Sequence, residues 1–219
     1  MPVQDRLMGK TKLSDQAYKR LEELIVTLQL QPGSVVTEAD LIRMIEIGRT
    51  PTREALQRLA SQGLVTPLPR RGILINQLNL TQYFAVLHTR RVLDRLITTS
   101  AARKATRQQR QALQQCSAAM RKAATRNDMS EFMRADHDLD RILEEAAQNP
   151  FAAHASAPLH VHCRRLWYTY RHDRDVARTA KLHTNLITAV ARGNESAAAN
   201  ASDDIIDYLE EFTRKTIEV

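Results

Sequence analysis

Two guanidinium groups four residues apart, Arg49 and Arg53, open the stretch whose residue types carry the clearest chemistry. It runs Arg49-Thr50-Pro51-Thr52-Arg53-Glu54-Ala55-Leu56-Gln57-Arg58-Leu59-Ala60-Ser61-Gln62-Gly63-Leu64. Pro51 suits the first turn of a helix, where its missing N–H costs nothing, and Thr50 is a candidate cap for that turn. Gly63 suits the left-handed position that ends a helix. Ala55, Leu56, Leu59 and Gly63 share one side and can pack inward. Residues i and i+4 share a face, so Arg49 and Arg53 stand together near the N-terminal end. Arginines at an exposed helix tip, backed by an apolar side, suit the major groove of duplex DNA. Taken alone, the stretch also reads as an ordinary amphipathic surface helix, so its neighbours decide.

The neighbours supply the elements that would position such a helix. Residues 1–12 read as a loose basic arm. A first helix, capped by Ser14, is expected to run to about Gln29, with Ala17, Leu21, Leu24, Ile25 and Leu28 as a single buried stripe. Pro32-Gly33 breaks it. A second helix opens at Thr37, with Asp40 three residues on as a capping box, and is expected to bury Leu41, Ile42, Met44 and Ile45. After Gly63, the runs Leu64–Leu68 and Ile73–Asn76 are β-like, and Pro69-Arg70-Arg71-Gly72 between them makes a basic hairpin tip. Three helices followed by a hairpin of this kind make a winged helix-turn-helix. Gly72 would let main chain approach DNA without a side chain in the way. Arg43 and Arg58 read as solvated helix faces.

The first part of the chain resembles the GntR family of bacterial transcription regulators. The matching residues are Pro32-Gly33, Thr37-Glu38-Ala39-Asp40-Leu41, Arg49-Thr50-Pro51, Arg53-Glu54-Ala55-Leu56, Leu59, Gly63-Leu64-Val65 and Arg70-Arg71-Gly72. The resemblance covers about residues 14–76. It implies that Arg49, Thr50 and Arg53 touch bases and phosphates, and that Arg71 and Gly72 make the wing contact. Two departures stand out. Where the family usually has Leu-Gly-Val-Ser, this chain has Ile45-Glu46-Ile47-Gly48. Glu46 therefore replaces a turn glycine, and Gly48 a capping serine.

The totals agree with a DNA partner. Lys and Arg number 32 against 25 Asp and Glu, a formal charge of +7, which suits a polyanion. A 43% hydrophobic fraction, 5% aromatics and only 6 glycines favour a globular, largely helical protein. Cys116 and Cys163 have neither metal nor redox spacing, so a reduced, cytoplasmic protein is expected. No long uncharged apolar run suggests a membrane span, and residues 1–13 lack the apolar region of a secretory signal.

From Asn79 onward only helical stripes recur. Helices are expected at about 80–103, 107–127, 129–147, 150–170, 174–192 and 195–216, joined by connections short enough for an antiparallel bundle. The chain thus divides into a winged helix-turn-helix over 1–76 and an all-helical effector and dimerisation domain over 77–219. This second part resembles the FCD effector domain of the FadR-type GntR subfamily, through Arg90 with Asp94, Asp136 with Asp140, Asn149-Pro150, His183 and Ala189–Gly193. Six helices would suit its shorter, VanR-like branch.

Many such domains hold a metal through an aspartate, a histidine four residues on, a second histidine two helices later and a third on the last helix. Carried over, Asp136 and His183 take their positions, but Asp140 stands at the first histidine position and Ile205 at the last, beside Asp204. The set Asp136, Asp140 and His183, with Asp204 as a further candidate, would hold a divalent ion (Zn, Mn, Mg or Ni). Being rich in oxygen, it leans toward a harder ion. Without a metal, the buried carboxylates need another partner, and Arg90, Arg164 and Arg165 are candidates.

The resemblance further implies a small carboxylate effector, with Arg90 as its ligand in an otherwise apolar pocket. Trp167, Tyr168 and Tyr170 read as core or interface packing, and His160, His162 and His172 as solvated or internally satisfied. The function expected is a ligand-controlled, homodimeric DNA-binding regulator, acting as a repressor. One alternative is a DNA-binding regulator with a metal-free or non-functional effector domain. A metal-dependent enzyme is the remote alternative, since no nucleophile motif, phosphate loop or acid/base pair supports one.

Overall fold

The computed structural model describes residues 12–218. The expected basic arm lies outside them except for Lys12, which caps the first helix. The chain divides into two compact units, Met1–Leu78 and Asn79–Val219.

The first unit contains α1 (Leu13–Val26), β1 (Val35–Val36), α2 (Glu38–Ile45), α3 (Arg49–Ser61), β2 (Val65–Leu68) and β3 (Gly72–Ile75). Helix α1 stops three residues short of the expected end. Leu28 turns to φ 61 and Leu30 N–H bonds back to Leu24 O at 2.9 Å, so the last residue of the stripe, Leu28, lies in the exit turn. Helix α2 has the expected capping box of Thr37 and Asp40. It buries Leu41 and Ile45 but leaves Met44 exposed, because eight residues offer only one narrow stripe. The three strands form an antiparallel sheet in the order β1-β3-β2, with Val35 opposite Leu74 and Val65 opposite Ile75. Pro67 lies on the edge strand β2, where its missing N–H breaks no ladder. Leu21, Leu41, Ile45, Leu59, Leu64 and Ile75 meet in the core of this unit.

The second unit is all helical: α4 (Leu80–Lys104), α5 (Arg107–Arg126), α6 (Met129–Ala147), α7 (Pro150–Tyr170), α8 (Asp173–Ala191) and α9 (Glu195–Ile217). Side chains at the junctions start most of these helices. Asn79, Thr106, Asp128, Asn149 and Asn194 each accept a hydrogen bond from an N–H of the first turn. Asn127 and Gln148 end α5 and α6 in the left-handed region. Helix α4 packs against α6, α7, α8 and α9, while α5 packs on α6 and α8. One arginine ties two helix ends together: Arg110 donates to the carbonyls of Ala102, Ala105, Val190 and Ala191 at 2.6–3.0 Å. Among the described residues no helix is long and apolar enough to cross a membrane.

Candidate functional site

The first unit presents α3 by a tight joint. Glu46 ends α2 in the left-handed conformation at φ 53, a position that favours glycine. Ile47 then turns inward, and Gly48 caps α3 without a side-chain bond. Thr50, expected as the cap, instead lies inside the first turn with its side chain exposed, since the helix begins one residue earlier. Thr52 anchors the joint: its fully buried hydroxyl donates toward Gly48 O at 2.9 Å and Ile47 O at 3.2 Å.

The Arg49 and Arg53 side chains emerge on one flank, 73% and 60% exposed. Both face Glu38 at the start of α2: Arg53 Nε lies 2.9 Å from each carboxylate oxygen, and Arg49 Nε 3.5 Å from Oε1. The other basic residues nearby are engaged elsewhere. Arg43 pairs with Asp40. Arg58 bonds Asp15 at 2.7 Å and lies over the Tyr18 ring at 4.2 Å.

The hairpin tip is a four-residue turn, Leu68 to Arg71, closed by Arg71 N–H to Leu68 O at 3.0 Å. Pro69 at its second position and Arg70 at φ 60 in its third are the marks of a type II turn, with an arginine where glycine is usual. Arg70 and Arg71 are exposed. Gly72 follows at φ 117, and a Cβ there would lie 2.6 Å from Val36 O. This glycine is required by the sheet itself, whatever else approaches it.

In the second unit, two small cavities of about 50 and 30 Å³ share Arg90, Asp140, His160, His183 and Ile205 in their walls. The larger also meets Phe132, Met133, Asp136, Arg164, Trp167, Thr179 and Leu209. Trp167 stacks on Phe132 with centroids 5.5 Å apart and donates to Tyr208 OH at 3.1 Å, so it is core and cavity wall together. The Thr179 hydroxyl is buried there.

Charges alternate along these walls. Arg90 pairs with Asp94 Oδ2 at 2.8 Å, and Asp94 Oδ1 faces His160 Nε2 at 2.8 Å. The other ring nitrogen of His160 lies 3.1 Å from Asp140 Oδ2, within ion-pair range though off a hydrogen-bond axis. Arg164 approaches Asp140 Oδ2 at 2.6 Å and Asp136 Oδ2 at 3.8 Å. Asp136 Oδ1 faces His183 Nε2 at 3.2 Å, and His183 Nδ1 donates to Thr179 O at 2.8 Å.

The titrations follow from this pattern. Burial works against the charge on His160, but Asp140 and Asp94 outweigh it and raise the imidazole to about 10. Burial would raise the Asp94 and Asp140 carboxyls. Arg90 and His160 hold Asp94 down, and His160 with Arg164 holds Asp140 far below the carboxylate range. Glu144, one turn beyond Asp140, is pushed up to about 7 by burial and by the Asp140 charge.

The residues do not fit the divalent ion expected at Asp136, Asp140 and His183. Arg164 and His160 already crowd the Asp140 oxygen a metal would need, and both are cations. Asp204 is exposed on α9, and the residue turned inward there is the apolar Ile205. Among the described residues no group of three or more His, Cys, Asp or Glu could hold a metal ion. Metal sensing is therefore not supported. Arg90 does reach both cavities, with two of its N–H groups committed to Asp94.

Asp94, His160 and Glu144 were not expected as members of this group. His160-Val161-His162 carries no readable signal, because i and i+2 on a helix point in different directions. Only the Arg90–Asp94 spacing hinted that α4 takes part.

The comparisons agree with both halves of this geometry. Residues 13–75 match the model for bacterial regulatory proteins of the gntR family, and residues 85–208 match the FCD domain. The chain is 23% identical to the HTH-type transcriptional repressor RspR of Escherichia coli, over 98% of this chain and 95% of that protein. It is 28% identical to the HTH-type transcriptional repressor NanR of an Enterobacter species, over 66% of this chain and 62% of that one. The solved structure of E. coli McbR/YncC shares the fold with a TM-score of 0.82 at 16% identity, covering 95% of this chain and all of that one. The chain belongs to the GntR family of bacterial regulatory proteins, with an FCD domain behind its winged helix, and is a DNA-binding, ligand-responsive transcription regulator rather than an enzyme.

Proposed function

We propose that this regulator is a repressor that reads a palindromic operator as a two-fold dimer and is released by a small carboxylate bound in the helical unit without a metal. One short helix reads few base pairs, and pairing two of them supplies affinity and symmetry together. Helix α3 enters the major groove with Arg49, Thr50 and Arg53, while Arg71 and Gly72 bring the wing to the backbone. The observation that carries this reading is the joint exposure of Arg49 and Arg53 on one flank of α3, where Glu38 gathers both side chains. Two relatives named repressors support the sign of control.

The effector reading is supported by a cavity that sets Arg90 and Arg164 against Phe132, Met133, Trp167 and Leu209. At about 50 Å³ the cavity is smaller than such a ligand, which would have to widen it to enter. Such a ligand shifts the DNA-competent population only by its difference in affinity between the two states. The test is titration of DNA from beside the gene with the purified protein at several salt concentrations. Binding should be sequence-selective and fall steeply with salt. Binding indifferent to sequence would end this reading.

A further inference from the structure

We propose that the guanidinium of Arg164 is the resident cation of the FCD cavity, bridging the Asp136 and Asp140 carboxylates in place of a divalent ion. Asp136 and Asp140 lie one turn apart on the same face of α6, both turned into the bundle. Two carboxylates so placed repel each other and are costly to bury unless a cation lies between them. Arg164, reaching across from α7, approaches Oδ2 of both, at 2.6 and 3.8 Å, and its own side chain is only 10% exposed. His160, four residues earlier on the same helix, faces the same Asp140 oxygen. His183 completes the row on the far side of Asp136.

The chemistry favours arginine for this task. A guanidinium is charged at every accessible pH, and its planar fork suits carboxylates. It is part of the chain, so it cannot be lost to a chelator or diluted away. A metal, in contrast, needs open lone pairs on Asp140, and these already face two cations. The assignment rests on the proposed function only for its consequence: a carboxylate ligand would be held by fixed guanidinium groups, and chelating hydroxy-acids would gain nothing over plain carboxylates.

The test uses the full chain after chelator treatment, with MnCl₂ and ZnCl₂ as the only probes, read by calorimetry and thermal unfolding. The wild type should take up no stoichiometric metal and show no metal-dependent rise in Tm. Arg164→Ala should melt at lower temperature, bind the ions about tenfold or more tighter than the wild type, and recover Tm on binding them. Arg164→Lys, which keeps the charge, should resemble the wild type. Stoichiometric metal uptake by the wild type, abolished by Asp136→Asn, would overturn the assignment. So would an Arg164→Ala protein that folds and responds to metal no better than the wild type. If Arg164→Ala does not fold, the wild-type titration decides, with folding of Arg164→Lys and absence of uptake upholding it. None of these outcomes touches the DNA reading, which involves neither the cavity nor a metal.

Discussion

Glu38 holds Arg53 by both carboxylate oxygens, 2.9 Å from Nε, and reaches Arg49 with the same group. Exposed ion pairs of this kind contribute little to stability, so the arrangement matters for the orientation of the arginines rather than for the fold. Glu38→Gln should leave stability within about 0.5 kcal/mol of the wild type. It should raise affinity for random-sequence DNA, by removing a negative charge near the phosphates, and lower the ratio of operator to random-sequence binding. Arg53→Ala should weaken operator binding by about 1–3 kcal/mol with little change in melting. Fluorescence anisotropy with both DNAs, beside thermal unfolding, separates these effects. Equal loss of folding and binding in Arg53→Ala would count against a contact role.

Gly72 and Gly48 offer a paired comparison. At Gly72 the backbone is at φ 117 and a Cβ would lie 2.6 Å from Val36 O, whereas at Gly48 a Cβ meets nothing within 4 Å. Gly72→Ala should destabilise the winged unit by about 1–3 kcal/mol. Gly48→Ser should be neutral or stabilise by a few tenths of about 1 kcal/mol, through the cap that α3 lacks. Glu46→Gly, at φ 53, should stabilise by about 0.5–1 kcal/mol. Thermal melts of the three variants check the order; a Gly72→Ala protein as stable as the wild type would show that the wing relaxes freely.

These joints also mark how far sequence reasoning reaches. Thr37 with Asp40 was legible because a cap bonds within three residues of itself. The six helices of the second unit follow from such junctions and from the apolar stripes between them. Strand β1 was not legible, since two residues carry no alternation and Val35–Val36 is a strand only because β3 lies beside it. Met44 was misplaced for a related reason: which side of α2 is covered depends on the elements packed against it. In the cavity, Asp136, Asp140 and His183 came from the resemblance to the FCD domain, which did not name their partners. Asp94 meets His160 across 66 positions and Asp140 meets Arg164 across 24, contacts decided by how α4, α6 and α7 pack.

Arg110 should prove costly to replace. Its guanidinium donates to four carbonyls where α4 and α8 end and the helical ladders run out of N–H donors, although Val190 O also accepts from Gly193 N–H at 3.0 Å. Arg110→Met keeps the length of the stem and removes every donor. The expected loss is about 2–4 kcal/mol, since each buried carbonyl left unpaired costs a part of its desolvation. Urea unfolding measures it. Arg107→Met, one turn earlier and exposed, should change stability by less than about 0.5 kcal/mol.

The buried row around His160 should make stability depend on pH in a direction set by its neighbours. His160 faces Asp94 and, beyond it, Arg90 on α4, Asp140 and Glu144 on α6, and shares α7 with Arg164. Its folded pKa of about 10 lies above the ordinary 6.5, so the folded chain holds a proton that the unfolded chain releases first. That contribution is complete below 6.5 and is lost as pH rises toward 10. Glu144, raised from 4.5 to about 7, acts in the same sense at lower pH: burial favours its protonated form, and the folded state loses that advantage as the carboxyl ionises. Asp94 and Asp140 act in the opposite sense, and their contribution is lost only in strong acid. Stability should therefore peak on the acid side of neutrality and decline steadily to pH 9. Melting curves between pH 5 and 9 in one ionic strength read this directly. His160→Asn should flatten the decline above pH 7, and Glu144→Gln the decline below it. A wild-type Tm that rises with pH would mean that His160 is buried neutral and that the carboxylates flanking it are balanced by the arginines alone.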